Sequence, residues 1–276
     1  MKTIVVATDF SSNADHALQY AGALASFMNA RIILFNAFQL PVHASNTLLP
    51  AESFVELLKD NQERLENIAL QVSDKFGVTV DVQTKMSDVS NALEEIVMGA
   101  QADLVVMGMH TSDWSDRLFG NTTTSVIRDA KYPVLVVPNN ASFTGIERIL
   151  YAFDSNCLQK GTQLQVVKDI ARSFKAEVQV FHVETAHRAK EYTLKEPVDA
   201  NTKAALNDVA HTYREIEETG VVEGIEKGIK ELGANLLVMV PHKLSFWKNV
   251  VRLSTTRTVV LKSQIPLLVV PNTCRG

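Results

Sequence analysis

Short apolar runs rich in β-branched residues recur along the chain, each separated from the next by a stretch with helical spacing. In the first half the pattern predicts strands near 3–8, 31–37, 78–84, 103–108 and 134–137. It predicts helices near 12–29, 51–76, 88–100 and 121–131. The strand runs are nearly continuous in apolar residues rather than alternating. That predicts an α/β fold whose parallel strands are buried on both faces by helices. Ser12-x-x-Asp15 reads as a capping box that opens the first helix. Gly77 reads as the stop of the second, just before Val78-Thr-Val80.

The pattern then repeats. Ile4–Asp9 recurs as Ile149–Asp154, Ala30–Ala37 as Ala176–Val183, Leu104–Met107 as Leu236–Met239, and Pro133–Pro138 as Pro266–Pro271. Four matches in the same order imply two copies of one unit. The offset is 146 at Phe35/Phe181 and 132 at Met107/Met239, so the second copy is shorter between its second and fourth strands. The simplest place for the extra residues is Gln39–Pro50, which follows the second strand at the ligand edge and reads as a lid. The polar stretch Asn139–Gly145 marks the boundary, giving units 1–140 and 146–276. Val134–Val137 and Leu267–Val270 are apolar runs beside prolines and should each lie at a sheet edge. Antiparallel pairing of these two edges about a pseudo-two-fold axis would cover both.

Composition narrows the function. The chain has 276 residues, with 46% hydrophobic and 21% charged, which excludes disorder as its main state. A net charge of −4 gives no basic excess for nucleic acid or for a polybasic membrane anchor. Cys157 and Cys274 are too few and too far apart for a disulfide framework or a CxxC site. Asp9 cuts short the N-terminal apolar run, and no run approaches a membrane span. A cytoplasmic location is the expectation.

Ligands of parallel α/β sheets bind beyond the carboxyl ends of the strands. Asp9 and Gly108 both fall there. Gly108 would let a ligand approach the backbone. Gly120, Asn121, Thr122 and Thr123 offer N–H groups at the positive end of a helix, an anion site, with His110 and Arg117 adding positive charge. The Asp9 carboxylate could accept from ribose hydroxyls or reach a phosphate-bound Mg²⁺. The plainer alternatives are a glycine-relieved turn, a Thr-capped helix and an Asp that orders a turn. Asp154 recurs at the matching place, so the turn uses Asp with or without a ligand.

Ala7-Thr-Asp-Phe-Ser11, Val106-Met-Gly-Met-His110 and Arg128-x4-Pro133-Val-Leu-Val-Val-Pro138 together resemble the universal stress protein family. The repeat resembles its tandem two-domain members and covers nearly the whole chain. The resemblance implies two five-stranded parallel-sheet domains, Rossmann-like and of the adenine nucleotide α-hydrolase type. It implies a stress-response regulator that is soluble, does no chemistry beyond slow ATP hydrolysis, and binds ATP with Mg²⁺. The site it implies is Thr8, Asp9, Ala37, Gly108, His110, Gly120, Asn121 and Thr122, with Ala37 against adenine. It also implies a pseudo-dimer within the chain, a homodimer contact and a protein partner.

The chain departs from the family's Gly-x-x-Gly-x9-Gly-Ser/Thr loop. Thr111 stands at the middle glycine, the following spacing is eight, and Asn121 replaces Ser or Thr. In the second half Val240 and Leu253 replace Gly108 and Gly120, so that half should hold no nucleotide. Lys243, Lys248, Arg252 and Arg257 read there as a solvated face or as a surface for an anionic ligand or partner. No P-loop, Gly-x-Ser-x-Gly elbow or His-Glu-x-x-His helix occurs, and no catalytic or metal-binding grouping assembles from spacing. Lys85-Met-Ser87 lacks the His-x-Gly-His element that would make it a nucleotidyl-transferase signature. The alternative function is a module that binds a non-nucleotide ligand or a protein partner, with both loops drifted.

Overall fold

A computed structural model of the chain describes residues 1–37, 51–109, 121–152, 164–184, 200–240 and 265–271. The first half runs β1 (Thr3–Ala7), α1 (Ser12–Met28), β2 (Arg31–Ala37), α2 (Ala51–Phe76), β3 (Val80–Lys85), α3 (Val89–Ala100), β4 (Leu104–Met109), α4 (Asn121–Asp129) and β5 (Val134–Pro138). The second half runs β6 (Arg148–Ala152), α5 (Gln165–Phe174), β7 (Glu177–Glu184), α6 (Ala200–Leu206), β8 (His211–Glu217), α7 (Val221–Leu232), β9 (Leu236–Met239) and β10 (Leu267–Val269).

All ten strands form one sheet in the order β3-β2-β1-β4-β5-β10-β9-β6-β7-β8. Each half has the same internal order, with parallel neighbours throughout. Ala7 pairs with Phe35 as Ala152 pairs with Phe181, so the repeat read from the sequence is also a repeat in register. The strands β4 and β9 hold equivalent positions, each between the first and last strand of its half. The halves join where β10 runs antiparallel to β5, with Leu268 opposite Leu135. Both apolar edges are thereby covered, and the free edges of the whole sheet are β3 and β8, which are half-exposed and carry charged residues.

Strand side chains alternate between two apolar layers. Ile4, Val6, Ile32 and Leu34 pack beneath α1 and α2, and this layer continues through Leu135 and Leu268 to α5. Val5, Ile33, Phe35 and Val105 pack against α3 and α4, and the same layer continues to α7. Helix α1 supplies a stripe of Ala14, Ala17, Leu18, Ala21, Leu24 and Ala25. The polar linker is held rather than loose. Asn235 accepts from the N–H groups of Glu147 and Arg148 and donates to the Gly145 carbonyl. Phe143 sits edge-on to Tyr20 of α1 at 5.1 Å and to Phe174 of α5 at 5.9 Å, bridging the halves.

Two local readings change. The cap of α1 is Ser11, whose Oγ accepts from Ala14 N–H at 3.2 Å. The Ser12/Asp15 pair is therefore one residue out of step for a capping box, and Asp15 simply adds negative charge to the first turn. The length difference between the copies shows, among the described residues, in a helix: α2 has 26 residues and α6 has 7. Gln39–Pro50, read as the insertion and lid, lies outside the described residues. Gly77 ends α2 as expected, at φ +66, with its N–H on the Ser73 carbonyl at 2.8 Å.

Candidate functional site

At the carboxyl ends of β1, β2 and β4 lies a cavity of about 170 Å³. Ala7, Thr8 and Asp9 enter it from β1, Phe35 and Ala37 from β2, and Met107 and Gly108 from β4. Val89 at the start of α3 and Thr122 and Thr123 in the first turn of α4 close the far side. The parallel order β2-β1-β4 brings these strand ends side by side, although their residues lie about a hundred positions apart in the chain.

The turn after β1 is a ladder of side chains accepting from backbone. Thr8 Oγ1 accepts from Phe10 N–H at 3.0 Å, Asp9 Oδ1 from Ser11 N–H at 2.9 Å, and Ser11 Oγ from Ala14 N–H. Phe10 is thereby held at φ +62, a region that bulky residues seldom occupy. Thr8 is buried and Asp9 is exposed, so the carboxylate faces solvent at the cavity rim. Thr123 donates its hydroxyl to the Gly108 carbonyl at 3.4 Å, tying the start of α4 to β4.

Of the candidates read from the sequence, Thr8, Asp9, Ala37, Gly108 and Thr122 line this one cavity. Asn121 opens α4. His110 and Gly120 lie outside the described residues, as do Thr111, Arg117, Asp154 and the second-half loop with Lys243, Lys248, Arg252, Leu253 and Arg257. Gly108 also has a packing role. A Cβ there would lie 2.4 Å from the Asn13 carbonyl oxygen and 3.0 Å from Ala14 N. The missing side chain lets α1 begin against β4.

Sequence reasoning missed Asn36, Asn61 and Val183. Asn36 is buried and donates to the Thr8 carbonyl at 2.6 Å, while accepting from Asn61 of α2 at 3.1 Å. Val183 stands in the second half where Ala37 stands in the first, and it is buried at 5% exposure. The signal was available in the repeat alignment, Phe-Asn-Ala against Phe-His-Val. The expected difference between the halves was assigned to loops; the buried Val183 of β7 carries it into a strand as well. Among the described residues no three His, Cys, Asp or Glu group as a metal site, and no helix is long and apolar enough to cross a membrane.

The profile of the universal stress protein family matches residues 1–138 and 145–271. The universal stress protein in the QAH/OAS sulfhydrylase 3′ region of Thermus aquaticus is 32% identical over 138 residues, 49% of this chain and 98% of its own. A universal stress protein of Methanocaldococcus jannaschii is 28% identical over 142 residues, 49% of this chain and 81% of its own. The crystal structure of a universal stress protein from Archaeoglobus fulgidus aligns over 98% of both chains with a TM-score of 0.71 at 17% identity, a likeness of fold.

Proposed function

Because this chain belongs to the universal stress protein family, we propose that it is a non-catalytic stress-response regulator that holds ATP with Mg²⁺ in its first half alone. The carrying observation is the convergence of Thr8, Asp9, Ala37, Gly108 and Thr122 on one cavity. Ala37 and Val89 supply small apolar walls for a nucleobase. Asp9 supplies a hard oxygen for ribose hydroxyls or for Mg²⁺, which neutralises phosphate charge when bound. The first turn of α4 presents N–H groups to phosphates, with the Thr122 hydroxyl beside them. The donor set among the described residues therefore suits a magnesium nucleotide.

In the second half β7 carries Val183 where β2 has Ala37, and Val240 follows β9 where Gly108 stands in the first half; both valines are buried. That supports one site per chain. The test is calorimetric titration of the full chain with ATP and Mg²⁺. One site is expected, abolished by Gly120→Leu. Two sites would remove the asymmetry, and unchanged affinity in Gly120→Leu would remove this location. Absence of binding would favour a module for a non-nucleotide ligand or a protein partner.

A further inference from the structure

We propose that Asn61 and Arg64 of α2 are positioning residues for the Asp9 turn, so that the turn and the helix change shape together. The proposal rests on the nucleotide reading for its affinity consequence, but its geometry stands alone. The turn carries backbone strain at Phe10, φ +62. Such strain persists only where the surroundings over-determine it. The local bonds from Thr8 Oγ1 and Asp9 Oδ1 act from within the turn, and α2 acts from behind it.

Two contacts make that support. The Arg64 guanidinium lies 4.1 Å from the centre of the Phe10 ring. Asn61 donates to Asn36 Oδ1 at 3.1 Å, and Asn36 in turn donates to the Thr8 carbonyl at 2.6 Å. Asn61 and Arg64 are three apart, so one face of α2 presents both. Leu65, Ala69 and Val72 bury the same helix against the sheet. Asn36 is itself buried, so losing Asn61 strands its amide oxygen and frees the amide that holds Thr8. A ligand that draws the Asp9 carboxylate away from Ser11 N–H must shift Phe10 and Thr8, and both are tied to α2.

The experiment compares Asn61→Ala, Arg64→Met and Arg64→Lys in the full chain. Lys59→Met, on the exposed side of α2, is the control. Amide exchange at Ser11 and at core Val5 is followed by NMR without nucleotide, and ATP–Mg²⁺ affinity by calorimetry. Asn61→Ala should speed Ser11 exchange and weaken binding about fivefold or more. Arg64→Met should do so about two- to fivefold, with Arg64→Lys restoring it because the cation over the ring is kept. Lys59→Met should move neither.

Ser11 exchange unchanged in both loss variants overturns the proposal, whatever the affinity does. So does equal acceleration at Val5, which would mean general loosening. Faster Ser11 exchange in the two loss variants, with a wild-type protein that binds no ATP, would uphold the positioning role and defeat the nucleotide reading.

Discussion

A Cβ on Gly224 would lie 2.5 Å from Cγ1 of Val183. The two residues are a matched pair, with bulk on the strand and none on the helix. The first half has alanine at both places, Ala37 on β2 and Ala92 on α3. Gly228 repeats the relation one turn on, where a Cβ would meet Phe181 at 2.6 Å. Helix α7 is thus seated closely over Val183 and Phe181.

This pair gives a coupled prediction. Gly224→Ala alone should destabilise the chain by about 1–3 kcal/mol, because neither backbone nor a β-branched neighbour can yield easily. In a Val183→Ala background most of that penalty should disappear, because the Cγ atoms at 2.5 and 2.6 Å are gone and only the Cβ at 3.1 Å still opposes alanine's helix propensity, worth up to about 1 kcal/mol. Urea denaturation of the four proteins measures the coupling. An equal effect of Gly224→Ala in both backgrounds would show that the contact is not its cause.

Gly108→Val, which writes the second-half residue into the first, should lower stability by about 1–3 kcal/mol without any ligand present. The new side chain meets the Asn13 backbone, which moves only if the start of α1 moves. Thermal unfolding of the ligand-free protein is the measurement. A variant as stable as wild type would show that the contact with Asn13 does not require a glycine.

The seam should be sensitive to truncation at its centre. Leu135 and Leu268 face each other across the β5–β10 pair, and both are buried. Leu135→Ala should cost about 2–5 kcal/mol. Weakening the seam also uncovers two flat apolar edges, so concentration-dependent association should accompany it. Light scattering beside chemical denaturation reads both effects, and destabilisation without association would mean that the edges stay paired.

Tyr132 gives an alkaline limit. Burial, with a smaller contribution from the Glu94 carboxylate, pushes its hydroxyl up to about 12. The unfolded chain ionises this group near pH 10, so between about pH 10 and 12 the unfolded state has lost the proton that the folded state retains. Stability from this group is present below pH 10 and is lost as pH rises through that window. Tyr132→Phe should flatten the fall measured by denaturation at pH 9, 10 and 11. An identical slope in the variant would assign the loss to other groups, of which Tyr20, also raised by burial, is the first to examine.

Much of the fold was legible because periodicity reports burial directly. Ile4-Val-Val, Ile32-Ile-Leu-Phe and Leu104-Val-Val-Met are short, β-branched and apolar on consecutive positions, as suits a strand covered on both faces, and each is a strand of the sheet. The repeat carried the strand order of one half to the other. The candidate site was legible in part, because Asp9, Ala37 and Gly108 sit at strand ends and a parallel sheet collects its strand ends on one side. Asn36 and Asn61 were not legible. Each is an ordinary polar residue in its own segment, and their partnership spans 25 positions.

The sequence alone determined what each segment does locally: which runs become strands, where Gly77 ends a helix, and that the chain is two copies of one unit. These follow from side-chain periodicity and backbone preference, which act over a few residues. The tertiary structure alone decided what the small residues are for. Gly108 makes room for Asn13, and Gly224 makes room for Val183, contacts across 95 and 41 positions that no local pattern encodes. The physical reason is that a missing side chain is informative only through what occupies its place, and close packing settles that occupant only when distant segments meet.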